Sequence, residues 1–144
     1  MVHLNLLGLL YCTHAALPHL LRAAETEPRG VADVVNVSSV AGRIARANSG
    51  VYNATKFGVA AFSESLRQEV TRRHVRVSLV EPGAVMTELA GHNRPEILEG
   101  IAATFGDTEL MQAGDIAEAV VFTVTRPRRV TVNEVLVRPT EQER

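Results

Sequence analysis

Short β-branched runs alternate along this chain with longer stretches whose apolar residues recur every three or four positions. Residues 2–24 carry Leu4, Leu7, Leu10, Tyr11, Ala15, Leu17 and Leu21 at such intervals, which predicts a helix. Pro18 is expected to kink or tighten it. The polar segment 25–30, with Pro28 and Gly30, reads as a loop. Residues 31–37 are short, β-branched and mostly apolar, as a parallel strand buried on both faces would be. Residues 38–50 hold two glycines, two arginines and small polar residues, and predict a loop past that strand's carboxyl end.

A second helix is predicted over 51–74, with Phe57, Ala61, Phe62, Leu66 and Val70 on one face and Glu69 and Arg73 as an exposed i,i+4 pair. Residues 75–80 read as a second strand, stopped by Pro82 and Gly83. The stretch 84–106 is mixed, with a short helix expected over 95–105. Asp115 is the expected N-cap of a third helix ending near Arg126 and Pro127, and 130–137 reads as a last strand before a polar tail. Long helices between short apolar strands imply an α/β fold, a parallel sheet joined by right-handed crossovers. In such sheets ligands bind beyond the carboxyl ends of the strands, here at Ser38 and Ser39 and at residues 81–83.

The length of 144 residues suits one domain, and 46% hydrophobic with 22% charged residues is ordinary for a globular protein. A net charge of −1 gives no electrostatic footprint for nucleic acid. Composition also excludes the disordered, collagen-like and disulfide-dense classes. The single cysteine, Cys12, cannot form an internal disulfide, and its apolar surroundings predict a small buried hydrophobe. The amino-terminal run lacks a cationic start and is interrupted by His3 and Asn5. No targeting or membrane-spanning segment is therefore expected, and a soluble cytoplasmic protein is. The five histidines show no metal-ligand spacing, so no metal is expected, and Arg126, Arg128 and Arg129 read as solvated surface. One number is odd. Of 15 basic residues only Lys56 is a lysine.

Lys56 lies four residues after Tyr52 near the start of the second helix, so the two share a face. A free phenol, with a pKa of roughly 10, is a poor acid or base near neutrality. A nearby ammonium and the amino-terminal helix dipole both favour its ionised form. Such a pair could pass a proton to or from an alcohol oxygen. Ser39, thirteen residues before Tyr52, could hydrogen-bond the same oxygen as charge develops. Ala41, Gly42, Ser49 and Gly50 are small enough to let a ligand approach. Ser38 reads as a strand-end backbone donor rather than a catalyst.

Asn36-Val-Ser-Ser-Val-Ala-Gly42, Tyr52-Asn-Ala-Thr-Lys56, Pro82-Gly-Ala-Val-Met-Thr87 and Asn5-Leu-Leu-Gly8 together resemble the short-chain dehydrogenase/reductase family. The ending from Asn133 to Gln142 is similar to that of its clavulanic acid dehydrogenase and NADP-dependent 3-hydroxy acid dehydrogenase subgroup. The resemblance implies a Rossmann-type doubly wound parallel sheet. It also implies hydride transfer between NAD(P), NADP favoured, and a small alcohol or carbonyl substrate. Tyr52 would be the acid/base, Ser39 would polarise the carbonyl, and Lys56 would assist Tyr52 and bind the nicotinamide ribose. Asn5 would hold a water linking Lys56 to solvent. Pro82, Gly83, Val85 and Thr87 would receive the carboxamide, and residues 88–110 would be the substrate lid. A homodimer or homotetramer through helices 2–24 and 51–74 is also implied.

The glycine-rich phosphate-binding turn of that family does not occur in these 144 residues. The chain therefore reads as the carboxy-terminal half of one NAD(P)-binding domain, holding three strands with their flanking helices. A truncated gene reading, a genuine fragment and a catalytically inactive pseudoenzyme acting as an interaction module are the alternatives, truncation being favoured.

Overall fold

The structure, a computed structural model, describes residues 1–87, 99 and 105–143. The helix expected over 95–105 and most of the expected lid, 88–98 and 100–104, lie outside the described residues. A π-helical stretch, His3–Gly8, runs into α1, Leu9–Thr26. Then follow β1 (Ala32–Val37), α2 (Gly50–Val70), β2 (Val75–Pro82), α3 (Ala113–Val124) and β3 (Glu134–Val137). The predicted order of helix and strand holds throughout. The strands form a parallel sheet in the order β1-β2-β3, with Ala32 beside Val75 and Leu79 beside Glu134 opening the two registers.

Strand alternation divides the chemistry of the two faces. Val75 and Val77 point to α1 and α2, where they join Ala24, Ala32, Leu66 and Val70 in the core, with Leu17, Leu20, Leu21 and Phe62 packed around it. Each such buried valine contributes about 1.5–3 kcal/mol. Asn36 on the same face donates to Ser63 Oγ at 2.8 Å, which sets α2 across β1. Arg76, between the two valines, points the opposite way. It pairs with Asp33 at 2.6 Å and donates to the carbonyls of Val124, Arg126, Pro127 and Val130 at the end of α3 and the turn after it. The strands therefore advance in one direction while α2 and α3 sit on opposite faces. Two such crossovers cannot have the same hand, so the expectation that both are right-handed fails for one. The segment 83–112 is long enough to carry the chain round to the other face.

Other expectations need local correction. The helix after β1 ends at Val70 and is followed by a 3-10 turn, Thr71–Arg73, closed by His74 at φ 59°. Arg73 pairs with Glu25 at 2.5 Å rather than with Glu69, which accepts from Ser65. Asp115 is not the N-cap of α3. Gln112 is, and Asp115 reaches back to accept its N–H at 2.7 Å. The last strand begins at Glu134 rather than Val130, whose carbonyl is taken by Arg76.

Cys12 is exposed, not buried. Thr13 and Ala24 are the buried residues of α1, whereas Leu4 is 81% and Tyr11 70% exposed. Pro18 lies inside α1 without ending it. By length and composition the helical stretch His3–Thr26 could cross a membrane, which the sequence reading did not expect. Its later half nonetheless packs on the core through Leu17, Leu20, Leu21 and Ala24.

Candidate active site

Ser39 lies two residues past the end of β1, Lys56 bonds the carbonyl of Val37 there, Tyr52 stands one turn from Lys56, and Pro82 ends the neighbouring strand. β1 ends at Val37, and its next residue, Ser38, continues the ladder by donating its backbone N–H to Val80 O at 2.8 Å. The Ser38 hydroxyl donates to the Lys56 carbonyl at 3.2 Å, so it is spent on structure as expected. Ser39 is extended and half-buried, and caps the 3-10 turn Val40–Gly42 by accepting from Ala41 N–H at 3.1 Å. That bond uses a lone pair and leaves the hydroxyl proton to donate. Gly42 lets the turn press on α2: a Cβ there would lie 2.8 Å from Ser38 Oγ and 3.0 Å from Lys56 O.

Tyr52 and Lys56 stand one turn apart on α2, with Lys56 Nζ 5.7 Å from the centre of the Tyr52 ring. One of the three ammonium donors goes to Val37 O at 3.2 Å, which ties α2 to the end of β1. Burial pushes the Lys56 ammonium below its ordinary value, since removing a cation from water favours its neutral form. Between them Asn53 is buried and holds the loop against the helix, donating to Ala41 O at 2.9 Å and to Ile44 O at 3.1 Å.

Asn5 sits in the π-helical stretch, a geometry that often marks a functional position. Its amide donates to Thr55 Oγ1 at 3.4 Å, and that hydroxyl donates to Tyr52 O at 2.8 Å. Thr55 thus brings Asn5 beside the residue preceding Lys56. Pro82 and Gly83 form the turn after β2 and Val85 bridges to Met111, all three half-buried, while Thr87 is exposed.

Two features at this end were not anticipated. Arg43, just past the Ser39 turn, pairs with Glu81 at 2.5 Å and also with Glu134. It thereby links the loop after β1 to the residue before Pro82 and to β3. Burial pushes the Glu81 carboxyl up, Arg43 offsets part of that, and Glu134 adds to the rise. A carboxylate next to last in a strand rich in valine and leucine was a visible signal for Glu81. Gln142, in the tail, accepts from Ala84 N–H, and nothing in its sequence context pointed there. Among the described residues no group of three or more His, Cys, Asp or Glu could hold a metal.

A Ser hydroxyl, a Tyr–Lys pair and the Pro82–Gly83 turn lie at adjacent strand ends, where open parallel sheets bind their ligands. The family model described as short chain dehydrogenase matches residues 1–97. The chain belongs to that family. An uncharacterized oxidoreductase of Staphylococcus epidermidis is 34% identical over 139 residues, 96% of this chain and 54% of the relative. One from Staphylococcus aureus is 32% identical over 96% of this chain and 53% of its own length. A serine dehydrogenase solved in its closed form with NADP+ superimposes with a TM-score of 0.86 at 32% identity, covering all of this chain and 56% of that one. A serine dehydrogenase from Escherichia coli gives 0.73 at 30% identity, over 97% of this chain and 52% of its own. The chain spans about half the length of these relatives.

Proposed function

We propose that this chain carries the catalytic end of an NAD(P)-dependent oxidoreductase acting on a small alcohol or carbonyl, with NADP the favoured cofactor. What supports this is that Lys56, one helical turn from Tyr52, bonds the carbonyl of Val37, two residues before Ser39, in a chain superimposable on an NADP+-bound serine dehydrogenase. In this reading residues 1–144 are the carboxy-terminal half of one NAD(P)-binding domain. The donor set fits a nicotinamide nucleotide: an ammonium with donors beyond the one given to Val37 suits a ribose diol.

The bound cofactor supplies or accepts the hydride. Tyr52 moves the proton at the substrate oxygen, and Lys56 supplies positive charge beside the phenol. Ser39 donates its remaining hydroxyl hydrogen to the same oxygen, stabilising charge as it builds. Asn5, next to Thr55, holds a water through which Lys56 exchanges protons with solvent. Pro82, Gly83, Val85 and Thr87 would fix which face of the ring meets the substrate.

Serine and other 3-hydroxy acids are the first substrates to try with NADP+ and NAD+, because the superimposed neighbours are serine dehydrogenases. Tyr52→Phe in the whole gene product should lower kcat by about 10²–10⁴-fold while cofactor still binds. A Tyr52→Phe protein that turned over at the wild-type rate would refute the mechanism. We further propose a cytoplasmic homo-oligomer paired through the two long helices, on which Leu4, Tyr11, Val51 and Phe57 are exposed. Light scattering that finds only monomer at micromolar protein would refute that pairing.

A further inference from the structure

The turn after β2 is held by a residue nearly sixty positions away. Gly83 N–H donates to Val137 O at 2.7 Å, a last rung beside β3. Ala84 N–H has no strand partner and donates instead to Gln142 Oε1 at 2.9 Å. Its carbonyl accepts from Met111 N–H at 3.3 Å, and Met86 N–H returns to Met111 O at 2.8 Å. Ala84 is thus fixed through both of its backbone polar groups, by two different segments.

Gln142 is built into this place rather than lying over it. It is 8% exposed, although its neighbours Glu141 and Glu143 are exposed. The tail turns back after Pro139, with Gln142 N–H donating to Pro139 O at 3.0 Å. The fit leaves no room at Gly83, where a Cβ would stand 2.3 Å from Gln142 Oε1 and 3.3 Å from the Arg138 Cα. Gly83 is not in the left-handed region, so close approach of the tail is what requires glycine there. Beside it, Glu141 accepts from Glu109 N–H at 3.3 Å, so the tail touches both Ala84 and the chain leading into Met111.

We propose that Gln142 is a positioning residue for the cofactor: its amide oxygen holds the Gly83–Ala84 turn, and so sets the following Val85 and Thr87, in the one shape in which this segment receives the nicotinamide carboxamide. The inference rests on the oxidoreductase reading above and extends it to the carboxy-terminal tail. Without the acceptor, the turn samples other shapes. Apparent affinity then falls in proportion to the fraction of time the competent shape is populated, while the chemical step in the bound complex is untouched.

The experiment uses the whole gene product and compares wild type, Gln142→Met, which fills similar space without an acceptor, and Gln142→Glu, which keeps one. Amide hydrogen exchange at Ala84 is followed by NMR on the protein without cofactor. NADPH and NADH are then titrated by fluorescence, and kcat is measured at saturating cofactor. Gln142→Met should speed Ala84 exchange and raise the cofactor Kd, each by about fivefold to tenfold, with kcat within about twofold of wild type. Gln142→Glu should stay near wild type in both. Gly83→Ala, which pushes the side chain away from the other direction, should raise Kd in the same way.

Unchanged Ala84 exchange in Gln142→Met would overturn the contact itself. Faster exchange with unchanged Kd would overturn the positioning role alone. A wild-type protein that binds neither nucleotide, with Ala84 still protected, would overturn the oxidoreductase reading and this role with it.

Discussion

Gly42→Ala tests whether the Ser39 turn is set by its contact with α2. The added Cβ would fall 0.6 Å short of ordinary 3.4 Å contact with Ser38 Oγ, at 2.8 Å, and 0.4 Å short with Lys56 O, at 3.0 Å. The serine can rotate away only by giving up its hydrogen bond to that carbonyl, a loss of about 1 kcal/mol. Lys56 O is helix backbone and cannot yield. Overpacking of this kind costs about 1–3 kcal/mol, offset by about 0.4–1 kcal/mol from the stiffer unfolded chain, since Gly42 is not at positive φ. The net expectation is a destabilisation of about 1–3 kcal/mol. At about 3 °C per kcal/mol for a domain of this size, Tm falls by about 3–9 °C. Because Ser39 rides on the displaced turn, kcat should fall more than stability alone explains, by up to about 10²-fold for a shift near 1 Å. Ser38→Ala combined with Gly42→Ala should recover only part of the loss, because the clash with Lys56 O persists. Thermal unfolding and steady-state kinetics on wild type, the single and the double variant check this. Gly42→Ala as stable and as active as wild type would refute the close contact.

Glu81→Gln should change how stability responds to pH. The Glu81 carboxyl is raised above its ordinary value of 4.5, so the native state binds the proton more tightly than the unfolded chain. Its contribution is fully present below pH 4.5 and is lost as pH rises through the folded value. The Tm advantage of wild type over Glu81→Gln should therefore shrink between pH 4 and pH 7, and an advantage that grows with pH would contradict the assignment. Arg76→Met removes a 4% exposed guanidinium that serves Asp33 and four carbonyls, and should cost about 3–5 kcal/mol in urea unfolding. Because Arg76 lies at the end of the sheet away from Tyr52, the folded variant should keep its kcat, and a loss below about 1 kcal/mol would mean the network is not structural.

What could be read from the residues alone was whatever short spacing carries. Tyr52 and Lys56 were legible because four helical positions fix their relation, and Ser39 because it follows a strand by two residues. Helix and strand order was legible because β1 and β2 are short β-branched runs, although β2 continues through Pro82, which pairs with Val137, rather than stopping before it. The buried face of α1 was not. Its apolar residues spread over more than one face, and Thr13 is buried while Leu4, Tyr11 and Cys12 are not. Crossover hand was missed because it depends on which face α3 chooses, and Arg76, a charged residue in an apolar strand, decides that through contacts some fifty residues away. The bonds joining Arg43 to Glu81 and Gln142 to Ala84 span 38 and 58 positions, beyond the reach of any local pattern.

The adjacent serines after β1 have a consequence for how this site can vary. Ser38 is 4% exposed and bonded to α2, whereas Ser39 is half-buried, although the two side chains are chemically identical. Only the parity of an extended backbone separates them, since neighbouring side chains in such a segment leave it on opposite sides. Adding or deleting one residue in β1 would exchange the two hydroxyls, turning that of Ser39 inward and that of Ser38 outward. Changes of two residues would preserve the assignment. Along this lineage, insertions and deletions in the strand should be tolerated in even numbers and rejected in odd ones.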